Sequence, residues 1–215
     1  MGNQMTAQEL KEMVLFVAGR VIEGEEYLTE TDSKIGDGDH GTGMAMGFRE
    51  ILKTLPACEA EHPEEIFREA GTILLDTMGG ASGVLFGTMF ISGIVRRPLH
   101  DFIGIKDFAE IFRSSLDALK RRGRAKIGDK TMVDAFEPAV IALEKSASDG
   151  LTLKEGLAAA AQSARAGMEY TKELTARFGR AKYFGEKAIG IPDAGAVSVW
   201  MIYQAMSDWA AENIE

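Results

Sequence analysis

Hydrophobic residues recur with the spacing of amphipathic helices along almost the whole chain. In "DFAEIFRSSLDALKRR" one helical face carries the apolar residues Phe108, Ile111, Phe112, Leu116 and Leu119. Two further segments open with a capping box, Thr6 with Glu9 and Thr152 with Glu155. The chain offers no convincing series of alternating β-branched segments bounded by turn residues. This pattern predicts an all-α protein.

About eight helices are predicted, and they form one domain. Their approximate ranges are 6–22, 43–55, 63–77, 83–95, 107–122, 131–148, 152–170 and 195–213. The glycine-rich segments lie between these helices, and no fixed-period repeat or linker-like break divides the chain. We therefore expect a single helical domain over residues 1–215.

The first glycine-rich loop concentrates negative charge. The stretch "TDSKIGDGDHGTG" holds Asp32, Asp37 and Asp39, with four glycines between and after them. Carboxylates this close raise one another's pKa unless a cation relieves them, and glycine permits close approach to the main chain. An EF-hand fails on spacing, because the twelfth position from Asp37 is Phe48 instead of a bidentate Glu. The loop suits Mg²⁺ with phosphate oxygens; a solvated acidic connector is the alternative.

The second loop, "TMGGASGVLFGT", permits two interpretations. Main-chain N–H groups at a helix start, together with Ser82, would make a phosphate site. Gly79, Gly83 and Gly87 are instead spaced as overlapping GxxxG units, which would let two helices approach closely. A serine hydrolase is disfavoured, because "GASGV" lacks the final glycine of the nucleophile elbow.

Two later segments carry further candidate phosphate chemistry. "GRAKIGDKT" is close to a Walker A motif, but Asp129 intrudes before Lys130 and a helix precedes it, so a P-loop is disfavoured. "GRAKYFGEKAIGIPDAGA" offers Arg180, whose guanidinium suits phosphate, and a turn around Asp193. Each could also be ordinary loop chemistry.

Charge and composition narrow the partners and the compartment. The net charge of −9 argues against a general nucleic-acid or anionic-membrane partner. The single Cys58 fits a reducing cytoplasm, and the polar N-terminus lacks a secretory signal. Residues 77–95 are uncharged over nearly the length of a membrane span, but their five glycines favour a buried helix or ligand loop. We expect a soluble cytoplasmic protein.

Taken together, the loops resemble those of the nucleotide-binding L subunit of dihydroxyacetone kinase. The shared motifs, in the family's order, are "YLTETDSKIGDGDHGTGM", "GGASGVLFGT", "GDKTMVDAFEPAV" and "GRAKYFGEKAIG…DAGA". The resemblance runs through essentially the whole chain. It implies a barrel of eight antiparallel amphipathic helices, with a nucleotide site at one end that is built from the loops between helices.

The resemblance also implies the site residues. Asp32, Asp37 and Asp39 match the ligands of two Mg²⁺ ions that bridge nucleotide phosphates. The implied nucleotide contacts are His40, Gly41, Thr42, Gly43, Gly80, Ala81, Ser82, Gly123, Met132, Arg180, Asp193, Ala194 and Gly195. No catalytic residue is assigned to this chain, because phosphoryl transfer of this kind relies on positioning and electrostatics.

The implied activity is that of a glycerone kinase, a phosphotransferase active only with a K subunit that holds the ketose. One branch of the family uses ATP directly. In the other, ADP stays bound and is rephosphorylated by an M subunit of the phosphotransferase system, drawing on phosphoenolpyruvate. The leading expectation for this chain is the stand-alone, ADP-holding subunit acting on dihydroxyacetone in glycerol metabolism; a homodimer is left open.

Two departures from the family pattern keep alternatives open. Gly43 stands where phosphotransferase-linked members usually carry Asn, and "DAGA" replaces the commoner "DPGA". Both leave room for an ATP-dependent kinase of dihydroxyacetone or of another small ketose such as erythrulose. Two further alternatives are a nucleotide-sensing regulatory module that catalyses nothing, and a helical scaffold that binds metal incidentally.

Overall fold

The computed structural model describes residues 3–214 and is almost entirely helical. The α-helices are α1 (Ala7–Glu23), α2 (Glu25–Ser33), α3 (His40–Thr54), α4 (Pro63–Thr77), α5 (Gly80–Ile91), α6 (Ile105–Gly123), α7 (Val133–Ser148), α8 (Leu153–Tyr170) and α9 (Ala194–Asn213). Short 3-10 segments occupy 55–57, 92–94, 171–173 and 180–188. The strands β1 (Gln4–Met5) and β2 (Ile103–Gly104) pair antiparallel. Within this range, no helix is both long and apolar enough to cross a bilayer.

Eight of the helices close into a ring. Helices α1, α3, α4, α5, α6, α7, α8 and α9 each pack against the next, and α9 returns against α1. The short helix α2 packs against α3 and α9. This arrangement confirms the expected all-α barrel and leaves two ends at which loops meet.

Aromatic side chains fill the middle of the barrel. Phe67, Phe108, Phe112, Phe136 and Tyr203 form a continuous cluster with ring centroids 5.5 to 6.3 Å apart. Such pairs add to the free energy of burying the rings themselves. The Tyr203 hydroxyl is buried and has no hydrogen-bond partner in the described structure, and burial raises its pKa. All five side chains are fully buried, so they form the centre of the hydrophobic core.

The eight predicted helices were found, but one helix was missed, two begin earlier than predicted, and α5 ends at Ile91 instead of Val95. Helix α2 was missed because "EEYLTETDS" is largely polar, buries only Leu28 and Thr31, and has no capping side chain at Gly24. Helices α3 and α5 each begin three residues earlier than predicted, at His40 and Gly80. Glycines in their first turns hid these starts, since glycine is a poor helix former. The expected loop residues 40–43 and 80–82 are therefore first helical turns.

Candidate functional site

A cavity of about 980 Å³ opens at one end of the barrel, where four helices begin. His40 of α3, Gly80 of α5, Val133 of α7 and Ala194 of α9 all lie in its wall, and each is the first residue of its helix or nearly so. A helix N-terminus presents unpaired N–H groups and the positive end of the helix dipole. Four such termini around one cavity favour an anionic ligand.

Three aspartates converge at this cavity. Asp32 lies in the last turn of α2, Asp37 in the following loop and Asp39 directly before α3. One carboxylate oxygen of each lies within 4.8 Å of those of the others. The predicted acidic cluster is thus brought together in space by a bend between two helices.

Two glycines allow that bend. The Gly38 N–H donates to Asp32 Oδ2 at 2.8 Å, with Gly38 in the left-handed region at φ +76°. A Cβ on Gly36 would lie 2.3 Å from Asp32 Oδ1. These two glycines therefore allow the main chain of the loop to approach the Asp32 carboxylate closely.

The acidic cluster is electrostatically strained and has one nearby cation. Burial raises the pKa of Asp39, and a hydrogen bond with Asp37 and the charges of Asp37 and Asp32 raise it further. Arg180 opposes this shift, and its Nη2 lies 2.7 Å from Asp37 Oδ2. Three carboxylates beside one guanidinium still hold excess negative charge, and carboxylate oxygens are ligands that Mg²⁺ prefers. The residues present fit a magnesium site.

A buried histidine links three of the helices that begin at the cavity. His40 Nε2 lies 2.8 Å from Ser198 Oγ in α9, and His40 Nδ1 lies 3.4 Å from Ser82 Oγ in α5. Burial lowers the pKa of His40, which favours the neutral ring. A neutral imidazole has one donor and one acceptor nitrogen, so the ring can satisfy both serines. His40 thereby fixes Ser82 at the cavity wall.

The glycines of the second loop fall into two groups, and of the three predicted for close helix packing only Gly83 and Gly87 have close neighbours. A Cβ on Gly79 or Gly80 would meet no atom within 4 Å, and both glycines line the cavity. A Cβ on Gly87 would lie 2.4 Å from Leu75 Cγ in α4, and one on Gly83 would lie 2.2 Å from the Met78 carbonyl oxygen. The first pair leaves the backbone open to a ligand, whereas the second pair serves packing.

The opposite wall is held by a buried lysine. Lys130 has φ +58°, and its Nζ donates to the carbonyl oxygens of Thr171 and Ile191, both at 2.5 Å. Asp193 caps α9 by accepting from the Ala196 N–H at 2.8 Å, while its own N–H donates to Thr171 Oγ1 at 2.9 Å. Burial raises the pKa of Asp193 to about 7, although the Ala196 N–H and the positive charge of Lys130 both lower it. Lys130 thus ties the start of α9 to the cavity.

The structure gathers fifteen of the sixteen predicted site positions into the cavity wall. They are Asp32, Asp37, Asp39, His40, Thr42, Gly43, Gly80, Ala81, Ser82, Gly123, Met132, Arg180, Asp193, Ala194 and Gly195. Gly41 is not among the lining residues. A Cβ there would lie 2.2 Å from Thr29 Oγ1 and 2.3 Å from the Glu25 carbonyl oxygen, so Gly41 packs α3 against α2.

Sequence reasoning missed several residues of the wall. Lys130 was considered only as part of a failed Walker A motif, although the unusual "GDKT" turn was a usable signal. Phe86 and Leu119 also line the cavity, yet both carry the periodicity of ordinary core residues. Nothing in their spacing distinguishes them from the rest of the hydrophobic core.

Comparisons with known proteins agree with this geometry. Residues 34–208 match the model of the DAK2 domain family. The chain is 38% identical over 187 residues to the ADP-binding subunit DhaL of the PEP-dependent dihydroxyacetone kinase of Escherichia coli K12, over 87% of this chain and 89% of that protein. It is also 38% identical over 192 residues to the ADP-binding subunit DhaL of PEP-dependent dihydroxyacetone kinase 2 of Listeria innocua, over 88% of each.

A solved structure has the same architecture. The crystal structure of the dihydroxyacetone kinase from C. freundii in complex with AMP-PNP and Mg²⁺ aligns with a TM-score of 0.71 at 28% identity. The alignment covers 93% of this chain and 33% of that one, so this chain spans about a third of the length of that kinase.

Proposed function

This chain belongs to the DAK2 domain family, and we propose on that basis that it is the nucleotide-binding subunit of a dihydroxyacetone kinase. It would hold a magnesium nucleotide in the cavity and pass a phosphoryl group to a ketose carried by a K-type partner subunit. One observation carries the proposal: three clustered aspartates lie at a cavity around which four helices begin. Carboxylates for a cation and helix N-termini for phosphates are the two halves of a magnesium-nucleotide site.

Each part of the wall has a separate role in this proposal. Asp32, Asp37 and Asp39 would hold two Mg²⁺ ions, which neutralise the charge of the transferring phosphoryl group when bound. The first turns of α3 and α5 donate main-chain N–H groups to phosphate oxygens, with Ser82 held in place by His40. Phosphoryl transfer then depends on positioning by the chain and needs little covalent chemistry from it.

The base and sugar would contact a second part of the lining. Gly123 and Met132 line the cavity, as does the apolar side chain of Leu119, and Arg180 with Asp193 to Gly195 would form the closing side. Gly195 lies against Met132, because a Cβ on Gly195 would be 3.3 Å from Met132 Cβ. Met132 and the start of α9 therefore pack together in the cavity wall.

For the donor, we propose an ADP that stays bound and is rephosphorylated by an M subunit of the phosphotransferase system, with the protein in the cytoplasm and residues 1–215 as one nucleotide-binding domain. The second candidate is an ATP-dependent kinase of dihydroxyacetone or erythrulose, and Gly43 favours it. A Cβ on Gly43 would meet nothing within 4 Å, although Gly43 lines the cavity. The chain thus lacks a side chain where one could retain a nucleotide.

Native mass spectrometry of the purified protein, before and after titration with Mg-ADP and Mg-ATP, separates these candidates. Stoichiometric co-purified ADP supports the phosphoenolpyruvate-linked branch. An empty protein that takes up Mg-ATP reversibly supports the ATP-dependent branch, and Gly43→Asn should then slow nucleotide release. If neither Mg-ADP nor Mg-ATP binds, the site assignment is contradicted.

Substitution of one aspartate tests the metal assignment. Asp37→Ala should abolish Mg-dependent nucleotide binding in calorimetry while leaving the helical circular dichroism unchanged, with the exposed Asp76→Ala on α4 as the control. Full binding by Asp37→Ala would refute the assignment. Phosphoryl transfer in the presence of a K subunit distinguishes the enzyme from a nucleotide-sensing module.

A further inference from the structure

Positive charge is concentrated in two segments of this acidic protein. Residues 120–126 ("KRRGRAK") and 177–187 ("RFGRAKYFGEK") contain nine of its 24 Lys and Arg but only one of its 33 Asp and Glu. The whole chain carries a net charge of −9. We call these two segments the basic rim. Outside the rim the protein is therefore even more acidic than its net charge indicates.

The two segments of the basic rim border the same cavity. Arg122 and Ala125 line the cavity from the first segment, and Phe178 and Ala181 line it from the second. A main-chain hydrogen bond connects the second segment to the loop that follows the first, from the Arg177 N–H to the Asp129 carbonyl oxygen at 3.1 Å. Because Arg122 and Phe178 are exposed and also line the cavity, the rim lies at the mouth of the cavity.

Most of this positive charge is not neutralised by the protein. Lys120, Arg177 and Arg180 pair with Glu137, Asp129 and Asp37, respectively. The other rim cations are exposed and have no carboxylate within 4.0 Å among residues 3–214: Arg121, Arg122, Arg124, Lys126, Lys182 and Lys187.

The nucleotide does not account for these unpaired charges. Of the six, only Arg122 lines the cavity; the other five are exposed and are not part of its wall. Phosphates bound beside the aspartates would leave those five side chains in solvent. These five charges are therefore available to a partner outside the protein.

Apolar side chains are exposed among the same charges. In the second segment of the rim, Tyr183 is 79% exposed and Phe184 is 36% exposed. Ile127, which directly follows the first segment, is 44% exposed. Lys182 Nζ lies 4.8 Å from the centre of the Tyr183 ring. Aromatic residues and arginine are enriched in protein–protein interfaces and dominate their binding energy. The exposed aromatic side chains and the arginines of the rim are features of protein-docking surfaces.

We propose that the basic rim docks an acidic face of the protein that carries the phosphoryl acceptor, an inference that rests on the proposed function. Unlike charges at the mouth speed the encounter and fix its orientation. The acidic remainder of this chain would repel the same partner at every other face. The rim therefore selects the one orientation in which the acceptor meets the cavity.

Charge reversal of the rim tests this proposal. The triple variant Arg121→Glu, Lys126→Glu, Lys182→Glu changes exposed rim residues and leaves the cavity wall intact. The matched control is Arg68→Glu, Arg96→Glu, Lys106→Glu, three exposed cations outside the rim that belong to no ion pair in the described structure. The probe is the purified K-type subunit from the same organism. Its apparent KM, kcat and salt dependence are measured, together with the Mg-ADP Kd of each variant.

We expect the rim triple to raise the KM for the K-type subunit at least tenfold at low ionic strength and to flatten its salt dependence, with kcat and the Mg-ADP Kd within twofold of wild type. The control triple should leave all four quantities within twofold. Tyr183→Ala, a single exposed change, should raise the same KM without affecting the Mg-ADP Kd. This variant retains the test if the triple variant does not fold.

Several outcomes would overturn the docking proposal. An unchanged KM in both the rim triple and Tyr183→Ala would do so, as would an equal rise in the control triple. A parallel loss of Mg-ADP affinity in the rim triple would mean that the rim binds the nucleotide. A gel shift with nucleic acid that only the rim triple abolishes would mean that the rim binds a polyanion. If wild-type protein binds Mg-ADP but transfers nothing to the K-type subunit, the proposed function itself fails.

Discussion

Asp193 caps helix α9 from a position where its negative charge is costly. Burial, with the charges of Asp134 and Asp32, raises its pKa to about 7, and Lys130 and the Ala196 N–H only partly oppose this. The folded protein therefore holds this proton more tightly than the unfolded chain, whose Asp pKa is about 3.9. The stability that the neutral acid contributes is fully present below about pH 4 and is lost as the pH rises to about 7.

Asp193→Asn should remove that dependence, because asparagine is an equally good helix cap and does not ionise. In urea unfolding without nucleotide or divalent cations, the variant should gain stability relative to wild type as the pH is raised from 4 to 7.5. Asp76→Asn, an exposed change on α4, serves as the control. Parallel pH profiles for Asp193→Asn and wild type would contradict the assigned pKa.

Ala194 is the first residue of α9, a position that suits proline. Asp193 has φ −70° and ψ 128°, which a following proline tolerates, and the Ala194 N–H donates no hydrogen bond within residues 3–214. Ala194→Pro should therefore stabilise the protein by about 0.4–1 kcal/mol, by restricting the unfolded chain. Thermal unfolding with nucleotide absent measures this, and a lower midpoint would indicate a steric clash at this buried site.

Single residues could be predicted where the residues that share their role are close in sequence. Asp32, Asp37 and Asp39 lie within one short loop, so their shared chemistry was visible in the sequence. Lys130 acts through Thr171 and Ile191, 41 and 61 positions away, and no local pattern shows such contacts. Sequence therefore identified the charged side of the site better than its far wall.

At the scale of elements, helices α7 and α8 meet through a proline and a glycine. Pro138 lies inside α7 and lacks the N–H that would bond to the carbonyl of Asp134. Gly167 of α8 approaches that same carbonyl, since a Cβ on Gly167 would lie 2.0 Å from the oxygen. A free backbone carbonyl and a missing side chain thus allow this close packing.

Gly167→Ala should destabilise the protein by about 1–3 kcal/mol, because backbone atoms of α7 would have to move to admit the methyl group. Gly19→Ala on α1 is the matched control, since a Cβ there meets nothing within 4 Å. It should instead stabilise by up to about 1 kcal/mol through helix propensity. Urea unfolding measures both variants, and equal effects would refute the packing role of Gly167.

Helices were predicted well where a stripe of apolar residues marks them. They were predicted poorly where residues of the candidate site replace that stripe. Helix α6 was predicted almost to the residue from its apolar spacing. Helices α3 and α5 start with glycines that leave their backbone accessible at the cavity, against normal helix propensity. Helix α2 buries little and carries Asp32 in its last turn, so the site residue there replaced the usual hydrophobic signal.

At the scale of the whole molecule, the cavity wall combines five of the eight ring helices with α2 and several loops. Its wall takes residues from α2, α3, α5, α6, α7 and α9 together with the loops at 123–132 and 178–181. A ligand that contacts all of these elements would lose contacts if any of them moved away from the others. Binding should therefore stabilise the ring as one cooperative unit.

Mg-ADP at 100 times its Kd should stabilise the protein by about 2.7 kcal/mol. For a chain of this size that raises the thermal midpoint by about 5–10 °C. Excess EDTA should reverse the shift, because the carboxylates repel the negatively charged phosphates unless a cation lies between them. Asp37→Ala should show no shift at the same ligand concentration, whereas the exposed Asp76→Ala should shift as wild type does. A shift that survives EDTA, or that Asp37→Ala retains, would mean that the nucleotide binds independently of the aspartate cluster.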